Sequence, residues 1–124
     1  MKKFSTKWKG SIKARKQRKY RVHLPLHLRK KLVNVHLSKE LRSKYKKRNV
    51  PVRAGDKVKI LRGLFRKREG KVERVDRKGE KLYITGIEAV KKEGTKVMLP
   101  IHPSNVMLIE LDMTDKKRKE GLEK

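Results

Sequence analysis

Apolar positions along the chain change rhythm twice. Up to about Arg21 no usable period exists. Lys7-Trp8-Lys9-Gly10-Ser11 and Lys13-Ala14-Arg15-Lys16-Gln17-Arg18-Lys19 carry too much charge to build a core. Residues 1–21 therefore read as an arm that is disordered alone and orders on a phosphate surface. Phe4, Trp8 and Tyr20 are interleaved with its charges. They suit stacking on unpaired bases; packing against the domain or a neighbouring chain is the plainer alternative.

A helical rhythm follows over residues 22–51. Pro25 suits the first turn of a short helix, where its missing N–H is no loss. Leu24, Leu28 and Leu32 recur at i+4, and Arg29-Lys30-Lys31 sit where the helix dipole favours cations. A second short helix has Ser38 as N-cap, Glu40 in its first turn, and Leu37, Leu41 and Tyr45 on one stripe. Asn49 and Pro51 stop it. Both are too short to persist alone and must dock on something.

From Val52 to residue 111 the period becomes two. Lys57-Val58-Lys59-Ile60, Leu82-Tyr83-Ile84-Thr85 and Val97-Met98-Leu99-Pro100-Ile101 alternate, with glycine-bearing turns between the runs. The pattern predicts five strands, at 56–62, 70–76, 81–88, 96–101 and 105–111, in a small closed sheet. Val72 and Val75 cannot share a face of a regular strand, so a bulge is expected between them. Residues 112–124 read as a charged, flexible tail whose one leucine has no partner.

Composition narrows the class. Only 35% of the 124 residues are hydrophobic and 42% are charged, so a small core with polar appendages is expected. No apolar run spans a membrane, the N-terminus lacks the apolar stretch of a secretory signal, and the absence of cysteine removes disulfides and thiolate ligands. The formal net charge is +26. Residues 1–52 hold 19 basic residues and 1 acidic one, whereas residues 53–124 hold 20 and 12. The unrelieved positive run from Lys2 to Lys39 is the footprint of a nucleic-acid binder. Histone-like DNA binders and polybasic membrane-surface proteins share that footprint.

One stretch is more specific. Gly55-Asp56 precedes an alternating strand (Val58, Ile60), Gly63 turns the chain, a basic loop follows, and Gly70-Lys71-Val72, with Val75, opens a second strand. This spacing over residues 52–75 resembles the KOW motif. Its glycines suit unusual backbone angles or close approach, and Arg66, Lys67 and Arg68 project between them. Around it, Pro25-Leu-His-Leu-Arg-Lys-Lys-Leu32, Ser38-Lys-Glu-Leu-Arg-Ser-Lys-Tyr45, Val50-Pro-Val-Arg-Ala-Gly-Asp56 and Ile101-His-Pro-Ser-Asn-Val106 are similar to the archaeal and eukaryotic form of large-subunit ribosomal protein twenty-four, numbered twenty-six in eukaryotes. The resemblance runs from about Arg15 to Asp112.

The resemblance implies a mainly β fold: an SH3-like five-stranded barrel with a basic N-terminal extension that contains the two short helices. It implies binding to the 5′ part of large-subunit rRNA, an early role in subunit assembly, a place near the nascent-chain exit of the cytoplasmic ribosome, and neighbouring ribosomal proteins as partners. The RNA contacts it suggests are Arg62, Arg66, Lys67, Arg68 and Lys71 on the KOW loop, and Lys13, Arg15, Lys16, Arg18, Lys19 and Arg21 on the arm. Ser104 and Asn105 match a family signature and suit phosphate or 2′-OH groups; Asn105 reads equally as an ordinary turn residue. Lys91, Lys92 and Lys96 lie on a second hairpin that is expected to point away from RNA.

Catalysis finds little support. His23 and His27 are separated by Pro25 and have no acidic partner near them, which argues against zinc. His102-Pro-Ser lacks an orienting carboxylate, and no phosphate-binding glycine loop exists. Asp56 and Glu69 read as turn and cap groups. No enzyme activity, metal, cofactor, small-molecule substrate or membrane insertion is expected. The main alternative is a KOW-type transcription or RNA-processing factor, a class that usually joins its barrel to a further globular domain. A membrane-surface protein would need a broad apolar helix face, which neither short helix offers.

Overall fold

The computed structural model describes residues 3–124; Met1 and Lys2, where the expected arm and its positive run begin, lie outside them. The arm is helical. A 3-10 turn at Thr6–Gly10 leads into α1 (Ala14–His23), which buries no residue. Ala, Arg, Lys and Gln are all good helix formers. Gln17 ties the two pieces together, its Nε2 donating to the carbonyls of Trp8, Lys9 and Ser11 at 3.2, 3.0 and 2.7 Å. Pro25 forbids helix at Leu24, which is extended (ψ 127°), so α1 stops there. Pro25 itself caps α2 (Leu26–Arg29), a single turn rather than the longer helix expected to Leu32.

The chain then pairs as strand, where only helices were expected. Val33, just before β1 (Asn34–Leu37), and Val35 and Leu37 on it alternate inward. After α3 (Lys39–Tyr45), β2 (Asn49–Pro51) returns antiparallel to β1 with Val35 opposite Val50. α3 forms as its signals predict: Ser38 Oγ accepts from the Leu41 N–H at 3.4 Å, and Lys46 ends it in the left-handed region at φ 53°.

The five expected strands are all present: β3 (Lys57–Ile60), β4 (Glu69–Asp76), β5 (Lys81–Val90), β6 (Lys96–Ile101) and β7 (Val106–Glu110). The expected bulge is there too, as a register shift between Val72 and Arg74 opposite Ile84 and Tyr83. The sheet, however, is not the five-stranded closed barrel. Its order is β2-β1-β7-β3-β4-β5-β6, seven strands in an open line. The reason lies at β7. It bonds β3 antiparallel on one side and β1 parallel on the other, so β7 has no edge left on which β6 could close a five-stranded sheet.

Core side chains come from every strand but the edge strand β6, including Val35, Leu37, Val58, Ile60, Val72, Leu82, Ile84, Ile87, Val106 and Leu108, and Leu99 and Ile101 of β6 pack partly buried against them. Each buried Val, Leu or Ile contributes about 1.5–3 kcal/mol. The C-terminal residues are not a free tail. Lys116–Glu123 form α4, capped by Asp115, and Leu122 enters the core cluster. Arg118 of α4 is buried against Asp56, with Nη1–Oδ1 and Nη2–Oδ2 both at 2.6 Å. Asp56 also accepts the Arg53 and Asp112 backbone N–H groups, each at 2.9 Å. The aspartate of the Gly-Asp pair is thus a turn group, as expected, and also the counter-ion of a buried guanidinium.

Candidate nucleic-acid interface

The loop between β3 and β4 is set by backbone geometry. Gly63 turns it at φ +99° and Lys67 also has positive φ, at 71°. The Lys67 N–H reaches back to the Ile60 carbonyl at 2.8 Å, and the Ile60 N–H donates to the Arg68 carbonyl at 2.9 Å. Gly70 is required for a different reason: a Cβ there would meet Ile84 Cγ2 and the Thr85 carbonyl oxygen, both at 2.7 Å. Held this way, Arg62, Arg66, Lys67 and Arg68 are exposed, as is Lys71 on β4. The Arg68 guanidinium lies 5.1 Å from the Phe65 ring centre, a cation–π contact that orients it.

Ser104 and Asn105 belong to the same end of the molecule. They occupy a 3-10 turn (Pro103–Asn105) between β6 and β7, and the Asn105 carbonyl accepts the Leu61 N–H at 2.8 Å. His102 Nδ1 lies 2.8 Å from Ser104 Oγ and accepts the Ser104 N–H at 3.2 Å. The His-Pro-Ser run thereby shapes the turn that flanks the loop.

The arm sits elsewhere. Arg29 donates to the carbonyls of Arg21, Val22 and Leu24 at the end of α1 and to Lys78 in the β4–β5 turn. Arg21 pairs with Glu80 of that same turn. The base of the arm is therefore fastened at one end of β4 and the KOW loop at the other, roughly 23 Å apart at ~3.3 Å per residue. Lys19 lies 5.1 Å over the Trp8 ring, and Phe4 stacks on Tyr20 at 5.5 Å. The arm aromatics thus pack on the arm itself. Lys13, Arg15, Lys16 and Arg18 form no ion pair among the described residues, and neither do the five loop cations. Arg29 was not among the expected site residues. Its role depends on Lys78, 49 residues away, which no local pattern reveals.

Among the described residues, two titrating groups are perturbed. His36 lies below its ordinary value of 6.5 because burial and then the Arg42 and Arg48 charges disfavour the imidazolium. Asp115 is held below the ordinary carboxylate value, first by its hydrogen bond from Arg53 and then by the Lys117 N–H. Among the described residues there is no cluster of three metal-ligating side chains, and no helix is long and apolar enough to cross a membrane. Lys91, Lys92 and Lys96 lie at the β5–β6 turn, on the edge strand of the sheet.

A profile of the family described as "Ribosomal proteins L26 eukaryotic, L24P archaeal" matches residues 11–124. The chain belongs to this family. It is also similar to "Large ribosomal subunit protein uL24" of Korarchaeum cryptofilum (strain OPF8), with 46% identity over 114 residues, 92% of this chain and 87% of that protein. The resemblance carried by the KOW stretch and its flanks is thereby established. Membership of L26/L24P makes the chain a ribosomal, RNA-binding protein of the large subunit of the cytoplasmic ribosome. The α1 arm belongs to the matched region as much as the KOW loop does.

Proposed function

We propose that the chain is an rRNA-ordering scaffold, a structural constituent of the large subunit and not an enzyme. It binds the 5′ part of large-subunit rRNA, acts early in subunit assembly, lies near the nascent-chain exit and touches neighbouring ribosomal proteins. The family resemblance supports these particulars. The observation that carries the RNA reading is the set of cations on the loop and on α1 that, among the described residues, no carboxylate neutralises, in a chain of net charge +26. Phosphates neutralise that charge and release counterions as they do so. Arg62, Arg66, Lys67, Arg68 and Lys71 anchor one end of the sheet, with Ser104 and Asn105 beside them. Lys13, Arg15, Lys16 and Arg18 enter a second stretch of RNA, and Lys19 and Arg21 support them from their intramolecular contacts.

The test is a set of binding isotherms against 5′ and 3′ fragments of large-subunit rRNA across a range of salt. If about 6–10 phosphates are contacted, affinity falls by several orders of magnitude between roughly 50 and 200 mM salt. The 5′ fragment is expected to bind more tightly at every salt concentration. A flat double-logarithmic plot overturns the electrostatic reading, and equal affinity for the two fragments overturns the 5′ assignment.

A further inference from the structure

Between the arm and the start of the sheet lies a cleft of about 680 Å³. Its size is within the roughly 300–1,000 Å³ range of sites that enclose small molecules. Tyr20, Leu24, Leu28 and Leu32 give it an apolar lining, and Lys9 and Lys31 give it charge. Neither lysine forms an ion pair among the described residues. The walls are held in place by contacts within the protein. Gln17 fixes the 3-10 turn that carries Lys9, Phe4 backs Tyr20, and Arg29 fastens the end of α1 to the β4–β5 turn. Asn34, which also lines the cleft, has its Oδ1 buried without a hydrogen-bond partner. Such an acceptor is costly until a donor reaches it.

An aromatic ring, an aliphatic floor, two free ammonium groups and an unpartnered amide oxygen together match one chemistry. We infer that the cleft receives a single unpaired nucleotide of rRNA, its base against Tyr20 and the leucines and its phosphate between Lys9 and Lys31. This rests on the RNA reading above but assigns the cleft a task different from that of the loop. The loop and α1 grip phosphates, which are the same on every nucleotide, whereas the cleft takes a base that has left its helix. A segment of a neighbouring protein would also fit an apolar floor, but it would not call for two unneutralised ammonium groups.

The experiment uses the full chain bound to a 5′ large-subunit rRNA fragment. Ultraviolet cross-linking with peptide mapping is expected to give nucleotide adducts on Tyr20 or on the peptides carrying Lys9 and Lys31. Filling the cleft with Leu28→Trp is expected to weaken binding by roughly 5- to 150-fold, the range for loss of one stacked base. The Lys9→Ala/Lys31→Ala pair, exposed charges whose loss spares the fold, is expected to make the salt slope shallower by roughly 0.7, the value for one lost single-strand phosphate contact. Adducts confined to the KOW loop and to the α1 stretch before Lys19, with both variants binding like the parent, would show the cleft empty of RNA. Cross-links from Tyr20 or Lys31 to another ribosomal protein in assembled subunits overturn the nucleotide in favour of a protein occupant. A parent chain that binds no rRNA fragment overturns the RNA reading itself, and the cleft's role with it.

Discussion

Removing Arg118 would strand Asp56, a carboxylate with no exposed surface, among backbone amides and with no cation. Breaking one side of a buried pair usually costs about 3–5 kcal/mol. Arg118→Leu is therefore expected to lower urea stability by about that much, and adding Asp56→Asn is expected to restore part of it by removing the stranded charge. Additive losses in this double-mutant cycle would show the pair to be uncoupled. His36 gives a pH signature of opposite origin. Its folded pKa lies below 6.5, so the unfolded chain takes up the proton first as pH falls. Stability is then lost as pH drops through 6.5 and levels off once the folded imidazole itself titrates. Between about pH 7.5 and about pH 5, the melting temperature of the parent is expected to fall further than that of His36→Asn. Identical pH profiles would exclude His36 as a source of the slope.

The β3–β4 loop owes its shape to main-chain bonds and to two glycines, not to its charged side chains. Replacing Arg66, Lys67 and Arg68 together with Ala is expected to leave the melting temperature nearly unchanged, because exposed unpaired charges add little. RNA affinity is expected to fall by about 2–4 kcal/mol as charge-assisted phosphate bonds are lost. Early melting, or binding equal to the parent, would make the loop structural or idle. Gly70→Val reverses the order of cause, since its new Cβ collides with Ile84 and Thr85 before any contact to RNA is affected. This element was legible in the sequence because strands half exposed to water alternate visibly and loop glycines mark turns. β1 was not. The i+4 spacing of Leu24, Leu28 and Leu32 pulled the reading toward helix and hid the alternation of Val33, Val35 and Leu37 just beyond it. α4 gave even less signal, since its one leucine and its arginine are explained only by partners far away in the chain.

At the scale of the molecule, order is unevenly spread. α1 buries nothing, and its ten residues are fewer than a free helix needs in water. In hydrogen exchange without RNA, the amides of Ala14 to His23 are expected to exchange far faster than those of Val58, Ile60, Val72 and Ile84. Equal protection would mean that the Arg29 and Arg21 contacts clamp the arm as firmly as the core holds the sheet. The candidate interface was legible as residue types and only partly as geometry. Charge counting found the arm and the loop, but it could not show that they are fastened at opposite ends of β4. Nor could it show that Lys19 and Arg21 already have partners within the chain. The open sheet was hidden for a similar reason, since which strand takes the second edge of β7 is decided by β1, a strand with only four residues.

The Asp56–Arg118 pair also bears on the timing of synthesis. The two residues are 62 positions apart, so at ~5–20 residues per second roughly 3–12 s pass between their additions to the growing chain. For nearly all of that interval Asp56 lacks both its cation and the Asp112 N–H, so its burial waits for the last residues of the chain. Any product that stops short of Arg118 keeps this defect permanently, and quality-control proteases would meet it unfolded more often than the full chain.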